Sequence, residues 1–80
     1  MTAEKEHETR IKFLIGPGGI RRLVYKEVNA RNKDPQEPFT IPELASLVRA
    51  SQSEVEEALT IMRSRYHATE TSPGHWFIRT

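Results

Sequence analysis

The 80-residue chain contains no cysteine, which excludes disulfides, thiolate zinc ligands and a cysteine nucleophile together. A domain this short without such staples relies on helix packing, and one small domain is the upper bound on its size. No apolar run approaches the roughly 20 residues that span a bilayer, so no membrane partner is expected. Charge of one sign is lacking too: 12 Lys plus Arg against 11 Asp plus Glu leave +1. Proteins that live on phosphate neutralisation are usually more basic, which argues against tight non-specific nucleic-acid binding. Glu4, Glu6 and Glu8 are foreign to a secretory signal or a mitochondrial presequence, so an intracellular module is expected, its compartment unspecified. There is no internal repeat and no low-complexity tract.

Catalytic and metal constellations are missing as well. His7-Glu8 has no second histidine four residues on, as a zinc-protease helix requires. His67 and His75, expected to face each other across a hairpin, have no carboxylate at ligand spacing. No serine or aspartate stands in a nucleophile or acid–base context. The expectation is a protein without enzymatic activity, metal or cofactor.

What is present is organised. Residues 1–10 are polar and read as a mobile tail, with the domain over 11–80. Ile11-Lys12-Phe13-Leu14-Ile15 is a strand or a single apolar turn, too short for periodicity to decide. Gly16-Pro17-Gly18-Gly19 follows. It reads as a phosphate cradle at a helix start, as the loop of a KH domain, or as a plain loop opening a helix, and the plain loop is favoured.

The first helix runs from Pro17 or Gly19 to about Asn32, with Ile20, Leu23, Val24 and Val28 as its buried stripe. Arg22, Lys26 and Lys33 lie opposite, flanked by Arg21 and Tyr25, and form a candidate electrostatic patch. Asp34-Pro35 ends the helix, and Phe39 sits where a short bridging strand is expected. Thr40 with Glu43, and Ser51 with Glu54, have the spacing of capping boxes. They open a second helix with Ile41, Leu44, Ala45 and Val48 inward, and a third with Val55, Ala58, Leu59, Met62 and Tyr66 inward. The chain closes on β-compatible residues 67–69 and 75–80, with turn composition over 70–74.

With that stripe inward, the third helix presents Gln52, Ser53, Glu56, Thr60 and Arg63, with Glu57 at the edge. Gln and Ser can read bases, and a carboxylate can accept from cytosine. Two glutamates without a lysine beside them repel a phosphate backbone.

Glu54-Val55-x-x-Ala58-Leu59 followed by Pro73-Gly74-His75-Trp76-Phe77-Ile78 resembles the Z-alpha family of winged helices, from the first helix to the C-terminus. The resemblance implies an α+β winged helix-turn-helix with three helices, a small antiparallel sheet and a C-terminal wing. It also implies binding to Z-form DNA or RNA through the zigzag backbone. By position, Pro73 matches the wing proline and Trp76 the tryptophan that supports the third helix. Glu56 stands at the family's phosphate-contacting asparagine and Thr60 at its tyrosine. Gln52, Ser53 and Glu57 occupy basic positions, and Gly74 replaces a second wing proline. Non-binding relatives share the scaffold. The residues expected to carry contact are Gln52, Ser53, Glu56, Thr60, Arg63, Pro73, His75 and Trp76, with Arg21, Arg22, Lys26 and Lys33 as a separate patch. The alternative expectation is a protein-interaction winged helix, docking a partner or itself.

Overall fold

A computed structural model of the chain describes residues 3–31 and 37–79. The elements are α1 (Ala3–Ile15), α2 (Ile20–Ala30), β1 (Phe39–Thr40), α3 (Ile41–Val48), α4 (Gln52–Ser64), β2 (Ala68–Ser72) and β3 (His75–Ile78). The strands form one antiparallel sheet in the order β1-β3-β2. The class is α+β as expected, but with four helices instead of three.

The additional helix is α1. Ile11 and Leu14, three residues apart, are both buried, while Lys12 and Phe13 between them are exposed. That is helical spacing, so the apolar run is neither a strand nor an isolated turn. The segment 1–10, expected as a tail outside the domain, belongs from residue 3 onward to this helix, which packs on α4.

The link from α1 to α2 is a tight backbone crossing. A Cβ placed on Gly19 would lie 2.1 Å from the Phe13 carbonyl oxygen and 2.4 Å from that of Leu14. The loop amides are committed internally: Gly16 N–H donates to the Lys12 carbonyl and Gly19 N–H to the Gly16 carbonyl, each at 3.1 Å. This leaves a structural loop in place of a phosphate cradle. The KH reading fails because residues 41–48, where that fold needs strand, form α3. α2 is shorter than expected, ending at Ala30; Asn32, Lys33 and the Asp34-Pro35 break lie outside the described residues.

Both capping boxes are formed. Thr40 Oγ1 accepts from Glu43 N–H at 3.3 Å, and Thr40 N–H donates to Glu43 Oε1 at 3.0 Å. Ser51 Oγ accepts from Glu54 N–H at 3.1 Å, and Ser51 N–H donates to Glu54 Oε1 at 2.9 Å. Each pair satisfies two amides that helix geometry orphans. Ile20, Val24, Leu44, Val55, Ala58, Leu59, Met62 and Ile78 then form a fully buried centre, with Ala68 beside them. Tyr66 departs from expectation. It follows α4 with φ 62° and is 78% exposed, because the helix has ended and the left-handed residue turns the side chain outward.

β2 and β3 pair with Ala68 opposite Ile78 and Ser72 opposite His75, so only Pro73 and Gly74 form the turn. Gly74 has φ 78°, whereas proline is fixed near −65°. A two-residue hairpin loop normally takes positive φ at its first position, which proline cannot supply. The register slips between Glu70 and Ser72, so Thr71 is an extra residue that absorbs the mismatched twist. β1 completes the sheet through Phe39 opposite Trp76 and Thr40 opposite His75.

Candidate nucleic-acid interface

The site begins with how α4 is turned. Burial of Val55, Ala58, Leu59 and Met62 fixes the helix's rotation and leaves Gln52, Ser53, Glu56, Thr60 and Arg63 exposed, as sequence periodicity predicts. These five share one face. Glu54 and Glu57 belong to a different flank, the one α1 covers. Arg10 Nη1 donates to both Glu54 carboxylate oxygens at 3.3 and 3.4 Å. The Ser51 amide, above all, holds the Glu54 carboxyl below its usual value, with Arg10 adding to this against the opposing effect of burial. His7 Nε2 meets Glu57 Oε2. Of the acids near this surface, Glu56 is the one that remains on the outward face.

Thr60 is less available than its exposure suggests. Its hydroxyl donates to the Glu56 carbonyl at 2.9 Å, closing on its own helix. Arg63 is exposed in the last turn of α4, where a cation also suits the helix dipole.

α4 packs against β2, which brings the hairpin alongside it. The hairpin tip is held by Gly74 N–H donating to Glu70 Oε2 at 3.1 Å. His75 Nδ1 lies 3.1 Å from the Pro73 carbonyl. A carbonyl can only accept, so Nδ1 carries the proton and Nε2 is left as the ring's outer polar atom. Pro73 and His75 are exposed. Trp76 is not a contact residue: it is 6% exposed and sits in the core, where its indole N–H has no partner among the described residues. It supports the sheet from within. His67 and His75 stand at opposite ends of the hairpin instead of facing each other, since the His67 carbonyl accepts from Arg79 N–H beside the Ala68–Ile78 pair. Among the described residues no cluster of three or more His, Asp or Glu could hold a metal ion, and no helix is long and apolar enough to cross a membrane.

Sequence reasoning missed His7, Arg10 and Glu70. The first two matter only once α1 is a helix, and the polar residues 1–10 give no apolar period to reveal it. Glu70 could have been suspected as a carboxylate four residues before a glycine turn amide. The second candidate surface is on α2, where Arg21, Arg22, Tyr25 and Lys26 line one cavity with Pro17. Lys33, assigned to the same patch, lies outside the described residues.

Comparison of the chain with models of known protein families, with curated proteins and with solved structures gives no match.

Proposed function

We propose that the chain is a winged-helix module of the Z-alpha type that binds RNA or DNA through the outward face of α4 and the β2–β3 wing, without catalysis. The order α3, α4, hairpin, with β1 closing the sheet, supports the winged-helix reading. The observation that carries the binding reading is the division of the α4 acids. Glu54 is paired with Arg10 and Glu57 is hydrogen-bonded to His7 on the flank, so Gln52, Ser53, Thr60 and Arg63 face outward with one acid, Glu56, among them. The hairpin whose β2 strand packs on α4 is tipped by exposed Pro73 and His75 and rigidified by Glu70.

With few cations on that face, affinity is modest and its salt dependence shallow, since the slope follows the number of phosphates neutralised. The test is fluorescence anisotropy with an alternating CG duplex, a mixed-sequence duplex and single strands, across salt. Binding that weakens with salt and with Arg63→Glu supports the reading, and no binding to any of them at low salt overturns it. Placing the family's residues back, as Glu56→Asn with Thr60→Tyr, should tighten binding to the Z-prone duplex selectively, because a repulsive carboxylate becomes a donor.

A second reading, a protein-interaction or self-associating domain, is favoured by Phe13 and Tyr66, 56% and 78% exposed. A solution mass equal to a dimer, lost on Phe13→Ser, would favour it.

A further inference from the structure

We propose that the outer surface of α2 is a separate binding site for a nucleoside phosphate, with Arg21, Arg22 and Lys26 taking the phosphate and Tyr25 the ring. The proposal stands independently of the α4 reading. Helical spacing builds the site from two neighbouring rows. Within α2, Arg21 and Tyr25 are four apart and so are Arg22 and Lys26, while Pro17 and Gly18 belong to the turn that precedes the helix. Residues four apart lie one above the other on a helix surface. The result is the Tyr25 ring beside Arg21 on one row and two cations, Arg22 and Lys26, on the next. Together Pro17, Arg21, Arg22, Tyr25 and Lys26 line an open surface groove of about 500 Å³. Gly18, at the foot of the cationic row, leaves open space where a side chain would stand.

The electrostatics of this cavity are uncompensated. The ion pairs of the described residues involve other side chains, and none of the three cations is paired among them. Arg22 and Lys26 repel each other as like charges four apart. Arg21 Nε is buried with no acceptor among the described residues, so the terminal guanidinium nitrogens are the ones through which that side chain meets a ligand. No carboxylate stands in the first turn of α2, and Gly19 offers its start no side-chain cap.

Three convergent cations suit a compact multiply charged anion better than a single carboxylate. Arginine's planar fork matches phosphate oxygens in particular. The Tyr25 ring, 55% exposed at the cavity wall, has no role in the core and offers a face on which a base can stack. Phosphate and flat ring together describe a nucleotide, whether free or at the end of a nucleic-acid strand.

The experiment follows backbone amide NMR signals of the wild-type chain and of Arg22→Glu and Tyr25→Ala, both exposed positions whose folding is checked by thermal melts. The probes are ADP, pyrophosphate, a short oligonucleotide with a 5′ phosphate, the same strand with a 5′ hydroxyl, and a glutamate-rich peptide. The expected result is that ADP shifts the amides of residues 21–26. Arg22→Glu should weaken ADP and pyrophosphate by about tenfold or more, and Tyr25→Ala should weaken ADP while leaving pyrophosphate within about twofold. Preference for ADP over the 5′-phosphorylated strand identifies a free nucleotide; the reverse identifies a strand end. The proposal is overturned if ADP and the phosphorylated strand leave these amides unmoved at about millimolar concentration. It is equally overturned if Arg22→Glu has no effect, if the 5′-hydroxyl strand binds as well as the phosphorylated one, or if the acidic peptide binds tightest.

Discussion

Glu54 shows how much one side chain can be asked to do. It caps α4, receives Arg10 from α1, and is nearly buried. Its carboxyl and that of Glu43 are both held below their usual value of 4.5, chiefly by the amides of Ser51 and Thr40. As acid is added, the unfolded chain takes up protons at these groups before the folded one does. Stability is therefore full near neutrality and declines below about pH 4.5. Glu54→Gln keeps a capping side chain but loses the charge, so it should cost about 1 kcal/mol at neutral pH and flatten the acid limb of a pH-resolved denaturation series. Left-handed residues make a second prediction at this scale. Arg49 and Tyr66 have φ 56° and 62°, where a Cβ costs roughly 1 kcal/mol. Tyr66 is almost wholly outside the core, so Tyr66→Gly should raise the denaturation midpoint by an amount worth about 0.5–1 kcal/mol. A drop would show that the exposed ring makes a contact of its own.

Among the elements, the crossing of α1 and α2 is the most demanding. Gly19→Ala drives a Cβ into two carbonyl oxygens that belong to backbone and cannot move aside. It should destabilise by about 3 kcal/mol, while Gly18→Ala, which meets open space, should be neutral or slightly stabilising. Paired thermal melts separate the two. The same elements show what the sequence made legible. The starts of α3 and α4 could be placed to the residue because Thr40–Glu43 and Ser51–Glu54 are local chemical signals, readable without tertiary information. β1 at Phe39 was expected from its place before the second helix of a winged helix, and the buried Trp76–Ile78 face of β3 was legible through alternation. α1 was not, because among its described side chains only Ile11 and Leu14 are buried and its polar half meets partners distant in sequence, His7 with Glu57 and Arg10 with Glu54. Tyr66 was misjudged because it continues the helical spacing past the point where a left-handed residue ends the helix.

For the molecule as a whole, α1 determines what α4 can present. It meets the acidic flank through His7 and Arg10 and contributes Ile11 and Leu14 to the common core. Ile11→Ala should cost about 2–4 kcal/mol. His7→Ala with Arg10→Ala should leave the fold intact but release Glu54 and Glu57, weakening any nucleic-acid affinity and reducing its salt slope little, since the added effect is repulsion near the site rather than loss of a phosphate contact. The most direct test of the central claim is amide NMR mapping of the full chain titrated with an alternating CG duplex at low salt. The expected result is progressive shifts at Gln52, Ser53, Arg63, Gly74 and His75, lost with Arg63→Glu. Signals at those residues that stay fixed while the duplex is added, or that move only on α2, would contradict it.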